Sequence, residues 1–159
     1  CIEEGVLNFL TAHGFDIAQI EANHPGGAHG YRITDNGQSL VYLTDNELNP
    51  PYEKATEFDG FVEFSQGADV LIHDAQYTAE DMPEKHGWGH SLVSQVCDLA
   101  MAAQVKHLIL YHHDPDRTDD ELDKMQSLAR DLLGKGPLKI SCAAAYEGLE
   151  LDLSLGASR

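Results

Sequence analysis

Two short apolar runs, each followed at once by polar residues, constrain the fold of this chain most strongly. Residues 70–72 and 108–110 are continuously apolar, as strands of a parallel sheet buried on both faces are. Histidines and aspartates follow directly, in the segments ADVLIHDAQY and KHLILYHHDPD. Because open α/β sheets place their chemistry at the carboxyl ends of parallel strands, these polar clusters are predicted to meet at one sheet edge.

The rest of the chain mixes predicted helices and strands, as an α/β protein does. Asn36 and Gly37 lie between two apolar runs and predict a hairpin turn, because both tolerate a left-handed backbone. Thr118 and Glu121 form a capping-box pattern that begins an amphipathic helix ending at Gly134. Further helices are predicted at residues 2–13, 57–66 and 91–105, and further strands at 15–21, 31–34, 39–44, 138–144 and 149–153.

Composition limits the partners and the compartment. The chain carries 27 acidic and 10 basic residues, and its formal net charge of -17 disfavours binding to nucleic acid or anionic lipid. No apolar run approaches the roughly 18 residues that a membrane-spanning helix needs. The cysteines Cys1, Cys97 and Cys142 form no CxxC pair, so we expect one domain over residues 1–159 in the cytoplasm. Because the chain begins with Cys1 rather than Met, we expect residues upstream of it.

Polar residues at predicted strand ends are candidate metal ligands. His24, Asp45, His112 and His113 each follow a predicted strand. Neutral imidazole and carboxylate oxygen are ligands for zinc, manganese and iron, and a metal site draws them from several loops. Each residue alone is more often a solvated loop residue, so the interpretation as a metal site depends on their joint placement.

His90 lies in the glycine-containing segment GWGHS, just before the helix predicted to start at Ser91. The positive end of that helix disfavours protonated His90 unless a carboxylate faces it, and Asp74 is the candidate partner. Such a pair suits a general acid. The alternative is that Asp74 caps the turn before Tyr77 while His90 binds backbone. His73 is predicted to be a packed strand residue.

Five segments in order resemble the second half of metallo-β-lactamase-fold hydrolases, in the branch that includes RNase Z and the phosphoribosyl cyclic phosphodiesterase. They are NHPGGAHGYRI, SLVYLTDNE, ADVLIHDAQY, GWGHS and LILYHHDPDR, and they span residues 23–117 approximately. The resemblance implies an α/β fold of the αββα sandwich type, of which this chain would form about the second half.

The resemblance also implies roles for five residues. His24 would bind the first metal ion, Asp45 would bridge both ions, and His112 would bind the second. Asp74 and His90 match the residues that assist the leaving group in RNase Z-like enzymes. The cofactors would be two divalent ions, with zinc favoured over manganese or iron. The family's amino-terminal HxHxDH motif, which supplies the remaining ligands, does not occur in these 159 residues.

Two functions from different classes follow. The first is metal-dependent hydrolysis of a small phosphodiester; the substrate-gripping arm of RNase Z has no counterpart here, because only residues 34–44 separate Ile33 from Asp45. Nucleic acid is therefore expected to be an improbable partner, and the isolated chain is expected to bind metal weakly and to be inactive. The second is a non-catalytic binding or regulatory lobe that kept the fold without a complete metal site.

The resemblance further implies association. In that fold the apolar face of each half's sheet is covered by the sheet of the other half. We therefore expect this chain to expose an apolar face and to form a homodimer or retain an amino-terminal fragment.

Overall fold

The computed structural model describes residues 4–153 and contains an α/β arrangement, as the sequence predicts. The strands are β1 (Asp16–Ala22), β2 (Ala28–Asp35), β3 (Gln38–Leu43), β4 (Val70–Asp74), β5 (His107–Tyr111) and β6 (Ser141–Ala144). The helices are α1 (Glu4–Ala12), α2 (Phe58–Ser65), α3 (Val93–Ala102) and α4 (Asp119–Leu133), and a short 3-10 helix spans Ala79–Asp81. Among the helices of this described part, none has the length and apolar character to cross a bilayer.

These strands form one sheet in the order β1-β2-β3-β4-β5-β6. β2 runs antiparallel to both β1 and β3, whereas β3, β4, β5 and β6 pair parallel with a helix between each two. The carboxyl ends of β1, β3, β4 and β5 consequently lie at the same edge of the sheet. This is the edge at which the sequence predicts the polar clusters.

Two local sequence signals produce the structures that they predict. Asn36 and Gly37 both adopt a left-handed backbone, with φ of 48° and 80°, and join β2 to β3 in a tight hairpin. At the start of α4, the Glu121 carboxylate accepts a hydrogen bond from the backbone N–H of Thr118 at 2.8 Å. The hairpin and the capping box are therefore confirmed.

The core lies between one face of the sheet and helices α2, α3 and α4. Leu71 of β4 and Leu108 of β5 are neighbours in the strand register, and both are fully buried. The same apolar cluster takes one or more residues from each of the three helices: Phe61, Val96, Leu99, Met125 and Leu133. Burial of this layer holds the parallel strands and their loops in place.

The opposite face of the sheet is apolar, as expected, but less exposed than expected. Leu40, Tyr42 and Ile72 on that face are partly buried, whereas Val70 and Ile109 are buried. Association through this face stays a prediction.

The strand predicted at residues 149–153 is wrong. This segment instead returns to the start of β3, where the side-chain amide of Gln38 donates to the backbone oxygen of Leu153 at 2.6 Å. Gln38 alternates along β3 with the core-facing residues, so the segment passes over the face opposite the helices. Leu149 and Leu151 are partly buried. The segment therefore does not extend the sheet at its edge.

Truncation of the core tests this packing. We expect Leu71→Ala to lower the free energy of unfolding by about 2–5 kcal/mol, because Leu71 is 0% exposed and its truncation leaves a cavity. Leu128→Ala is the matched control, because Leu128 on α4 is 41% exposed and its loss should cost less than about 1 kcal/mol. Urea denaturation measures both, and equal losses would contradict the assigned core.

Candidate metal centre

The edge at which β1, β3, β4 and β5 end carries the histidines and aspartates that the sequence singles out. Asp74 is the last residue of β4, and His112 directly follows β5. Asp45 lies two residues beyond β3, and His24 lies two residues beyond β1. The structure therefore brings candidate residues from four separate strands to one edge.

Asp45 and His112 face each other across the end of β4. The Oδ1 atom of Asp45 lies 3.2 Å from Nε2 of His112, and both side chains are about two-fifths exposed. Both residues adopt a left-handed backbone, with φ of 54° and 52°. Such a conformation costs about 1–3 kcal/mol in a residue other than glycine, and strained residues of this kind cluster at functional sites.

His24 completes a compact group of possible ligands. One ligand atom from each of His24, Asp45 and His90 lies within 4.8 Å of the other two, and all three side chains are partly buried. The orientation of the His24 ring is set from two sides. The backbone N–H of Gly26 donates to its Nδ1 at 3.0 Å, and Gly89 packs closely against the same ring.

The two adjacent histidines after β5 point in different directions. His112 faces Asp45 at 3.2 Å, as described above. His113 Nε2 lies 3.1 Å from the backbone oxygen of Ala145, just beyond β6. His112 is therefore the member of the pair that can share a ligand group with Asp45.

Asp74 is fully buried and holds His90 by one ring nitrogen. The Asp74 Oδ2 atom lies 3.1 Å from His90 Nδ1, which leaves Nε2 of the ring for other partners. Burial alone lowers the pKa of His90, but the hydrogen bond and charge of Asp74 and the charges of Asp45 and Glu47 outweigh burial and raise it. The His90 ring centroid lies 5.6 Å from that of His24 and 5.1 Å from that of His112.

Asp74 contacts His90, as the first interpretation predicts, and its described backbone partners are Asn46 and Ser91, not the turn before Tyr77 that the alternative named. Besides contacting His90, its carboxylate accepts hydrogen bonds from the backbone N–H of Asn46 at 2.8 Å and of Ser91 at 3.0 Å. Asp74 therefore caps the start of the segment leading into α3 and also orients His90. Tyr77, which the capping alternative invoked, packs edge-on to the His90 ring at 6.0 Å.

Asn46 connects Asp74 to the rest of the site. Its Oδ1 accepts from the backbone N–H of Asn23 at 2.9 Å, and its Nδ2 lies 3.2 Å from His73 Nε2. Burial lowers the pKa of His73, so the ring is neutral, and its Nδ1 donates to the backbone oxygen of Asp74 at 2.6 Å. The Ser91 hydroxyl donates to the backbone oxygen of Asn46 at 2.6 Å. His73 is a packed strand residue, as predicted.

Sequence reasoning missed four residues that support the site: Asn23, Asn46, Glu47 and Ser91. All four are buried and hydrogen-bonded to segments 17 to 45 residues away. One signal could have found three of them, because Asn23, Asn46 and Ser91 are the immediate sequence neighbours of His24, Asp45 and His90.

The chemistry of the donor set fits a divalent metal ion. Imidazole nitrogens and a carboxylate converge without a lysine or arginine among them, and such a mixed nitrogen and oxygen set suits zinc, manganese or iron. His24, Asp45 and His112 are the residues that the sequence assigns to metal, and their roles stay a prediction. His90 lies within reach of the same centre but is held by Asp74.

Comparison with known proteins supports this interpretation. A family model described as a beta-lactamase superfamily domain matches residues 3–113. A ribonuclease Z from Trichodesmium erythraeum is 39% identical over 79 residues, which cover 50% of this chain and 22% of that protein. A ribonuclease Z from Thermoplasma acidophilum is 35% identical over 95 residues, covering 56% of this chain and 28% of that protein. The chain thus spans about a quarter of the length of these curated relatives.

A solved structure shares the fold. The metallo-beta-lactamase fold protein YhfI from Bacillus subtilis superposes with a TM-score of 0.64 at 22% sequence identity. The match covers 85% of this chain and 47% of that protein. The αββα fold class inferred from the sequence therefore agrees with a known structure.

The contact between Gly89 and His24 yields a prediction. Gly89 has φ of 97°, and a Cβ atom there would lie 2.7 Å from His24 Nε2, so Gly89→Ala should displace the ring. We expect the cobalt(II) affinity of Gly89→Ala to fall about tenfold or more, because the orientation of a metal ligand is lost.

Gly148→Ala is the matched control for that measurement. Gly148 also has a left-handed backbone, with φ of 86°, but a Cβ atom there meets no atom within 4 Å. Its substitution should strain the backbone without changing the metal affinity. If both variants bound cobalt(II) as tightly as the parent, the predicted role of His24 would be refuted.

Proposed function

Since the chain belongs to the beta-lactamase superfamily and has the metallo-β-lactamase fold, we propose that it forms part of a metal-dependent hydrolase that cleaves phosphodiesters. The observation that carries this proposal is that His24, Asp45 and His90 form one compact group, with His112 beside Asp45 and Asp74 bound to His90. The curated relatives are ribonucleases by name, and cleavage of RNA is cleavage of a phosphodiester.

His24, Asp45 and His112 are the residues that would hold metal. Asp45 lies near both histidines and has two carboxylate oxygens, so it would be the residue that could bind metal together with either of them. When bound, divalent ions in such a site supply positive charge that stabilises the charge developing on a phosphoryl group.

His90 would act as the general acid. Asp74 binds its Nδ1, which fixes the ring and directs Nε2 away from the buried carboxylate. As water adds to phosphorus and gives up a proton to the solvent, the bond from phosphorus to the leaving oxygen breaks. His90 would transfer its proton to that oxygen, so that an alcohol departs and no alkoxide forms. Asp74 stays in place beneath the ring, held by the backbone N–H groups of Asn46 and Ser91.

The substrate class rests on two observations that point to different sizes of molecule. The net charge of -17 and the short connection before Asp45 favour a small phosphodiester. The ribonuclease Z relatives weigh against the expectation that nucleic acid is an improbable partner. The chemistry common to both is a phosphodiester, and a comparison of precursor transfer RNA with a small diester as substrates separates them.

A second candidate function is a non-catalytic binding or regulatory lobe. Its support is that HxHxDH does not occur among the 159 residues, so this chain offers only His24, Asp45 and His112 toward the ligand set that the resemblance implies. Such a lobe would bind metal without turnover. Hydrolysis by the protein that carries this chain, abolished by Asp45→Asn, would exclude it.

Leaving-group dependence tests the role of His90. In the protein that carries this chain, we expect His90→Ala to lower kcat on diphenyl phosphate by about 100-fold or more, the usual size of a lost general acid. The loss on bis(p-nitrophenyl) phosphate should be smaller, because p-nitrophenolate leaves without protonation.

His13→Ala serves as the control, because His13 is exposed just after α1 and its ring contacts Phe9 of that helix. It should leave both rates unchanged. Equal losses on the two substrates in His90→Ala would show that His90 does not protonate the leaving group.

A further inference from the structure

Glu47 is a buried carboxylate whose charge helps to raise the pKa of His90 but whose hydrogen bonds go to another segment. It lies two residues after Asp45, beyond the edge of the sheet, and is only 2% exposed. A buried charge of this kind is costly unless hydrogen bonds satisfy it. The hydrogen-bond partners of Glu47 therefore indicate its role in the structure.

Both carboxylate oxygens of Glu47 bind the backbone of the loop Gly87-Trp88-Gly89. The N–H of Gly87 donates to Oε1 at 2.9 Å, and the N–H of Gly89 donates to Oε2 at 3.0 Å. Tyr52 approaches Oε2 with its hydroxyl at 3.5 Å, and His86 Nε2 lies 3.8 Å from Oε1. Because each oxygen accepts a different backbone N–H, this one side chain clamps the loop at two points.

The clamped loop has a backbone that only glycine adopts easily. Gly87 and Gly89 have φ of 91° and 97°, in the left-handed region. Gly89 lies against the His24 ring, and the next residue is His90. The position of this loop therefore decides where the His90 ring enters the space between His24 and His112.

We propose that Glu47 is a positioning residue for the general acid. Its carboxylate holds the Gly87-Trp88-Gly89 loop so that His90 reaches Asp74 through Nδ1 and faces the substrate with Nε2. Glu47 does not contact the substrate itself. This inference rests on the proposed function, because it assigns Glu47 a part in the same reaction.

Glutamine cannot replace Glu47 in this role. It has the same shape but only one acceptor oxygen, and its amide group would face one of the two loop N–H donors. Glu47→Gln is therefore expected to loosen the loop while keeping the volume of the buried side chain. Glu57→Gln is the matched control, because Glu57 is exposed and pairs with Lys54, away from the loop.

The first readout needs no enzymatic activity. Trp88 is the only tryptophan of the chain and lies within the loop, so its fluorescence reports on loop order. The ring is already 58% exposed, so its mobility is the informative quantity and not its accessibility. In the 159-residue chain, Glu47→Gln should lower the steady-state fluorescence anisotropy of Trp88, because a loosened loop lets the ring reorient faster, while Glu57→Gln leaves it unchanged. Unchanged anisotropy in Glu47→Gln would overturn the clamp.

The second readout separates positioning from a general loss of stability. In the protein that carries this chain, Glu47→Gln should lower kcat about tenfold more on diphenyl phosphate than on bis(p-nitrophenyl) phosphate, because proton transfer matters most for the poorer leaving group. An equal loss on both substrates, or none, would overturn the positioning role. If the parent hydrolysed neither substrate, the proposed function itself would fail, and the anisotropy of Trp88 would still test whether Glu47 holds the loop.

A measurement on the unmodified chain keeps the proposal falsifiable if Glu47→Gln does not fold. Amide hydrogen exchange of Gly87 and Gly89 should be slow, because both N–H groups donate to the buried carboxylate. Exchange at the rate of an open loop would overturn the proposal.

Discussion

The buried carboxylate of Asp74 is the interaction on which the site depends. A charge with no exposed surface must find hydrogen bonds, and Asp74 finds them in the backbone of Asn46, the backbone of Ser91 and the ring of His90. These partners belong to the loop after β3 and to the segment before α3. One side chain at the end of β4 therefore ties together the segments that carry Asp45 and His90.

Further buried hydrogen bonds connect the neighbouring loops to Asp74. Neutral His73 holds Asn46, and Asn46 holds Asn23, so the loop that presents His24 is joined to the same network. Glu47 joins the glycine loop to it from the other side. The metal-binding candidates at the surface are thus partly exposed, whereas the groups that orient them are buried. This division suits a site that must meet a substrate and still keep its geometry.

Regular elements and the strand-end residues were predictable because their signals are local. Apolar runs, the Asn36–Gly37 turn and the Thr118 capping box each depend on a few adjacent residues. The strand predicted at residues 149–153 was wrong, because alternating leucines look the same whether they pair at an edge or pack on a face. The support by Asn46, Ser91 and Glu47 was not predictable, because it consists of hydrogen bonds between loops that are distant in sequence. Periodicity describes strands and helices and contains no signal for such contacts.

Anomalous diffraction from crystals of the protein that carries this chain, grown with zinc, tests the central claim most directly. The account predicts metal peaks bonded to His24, Asp45 and His112, with His90 still bound to Asp74 through Nδ1. His90 lies close enough to Asp45 and His24 to be an alternative ligand. A zinc ion bonded to His90, with His112 left unbound, would contradict the division between metal ligands and a carboxylate-held general acid.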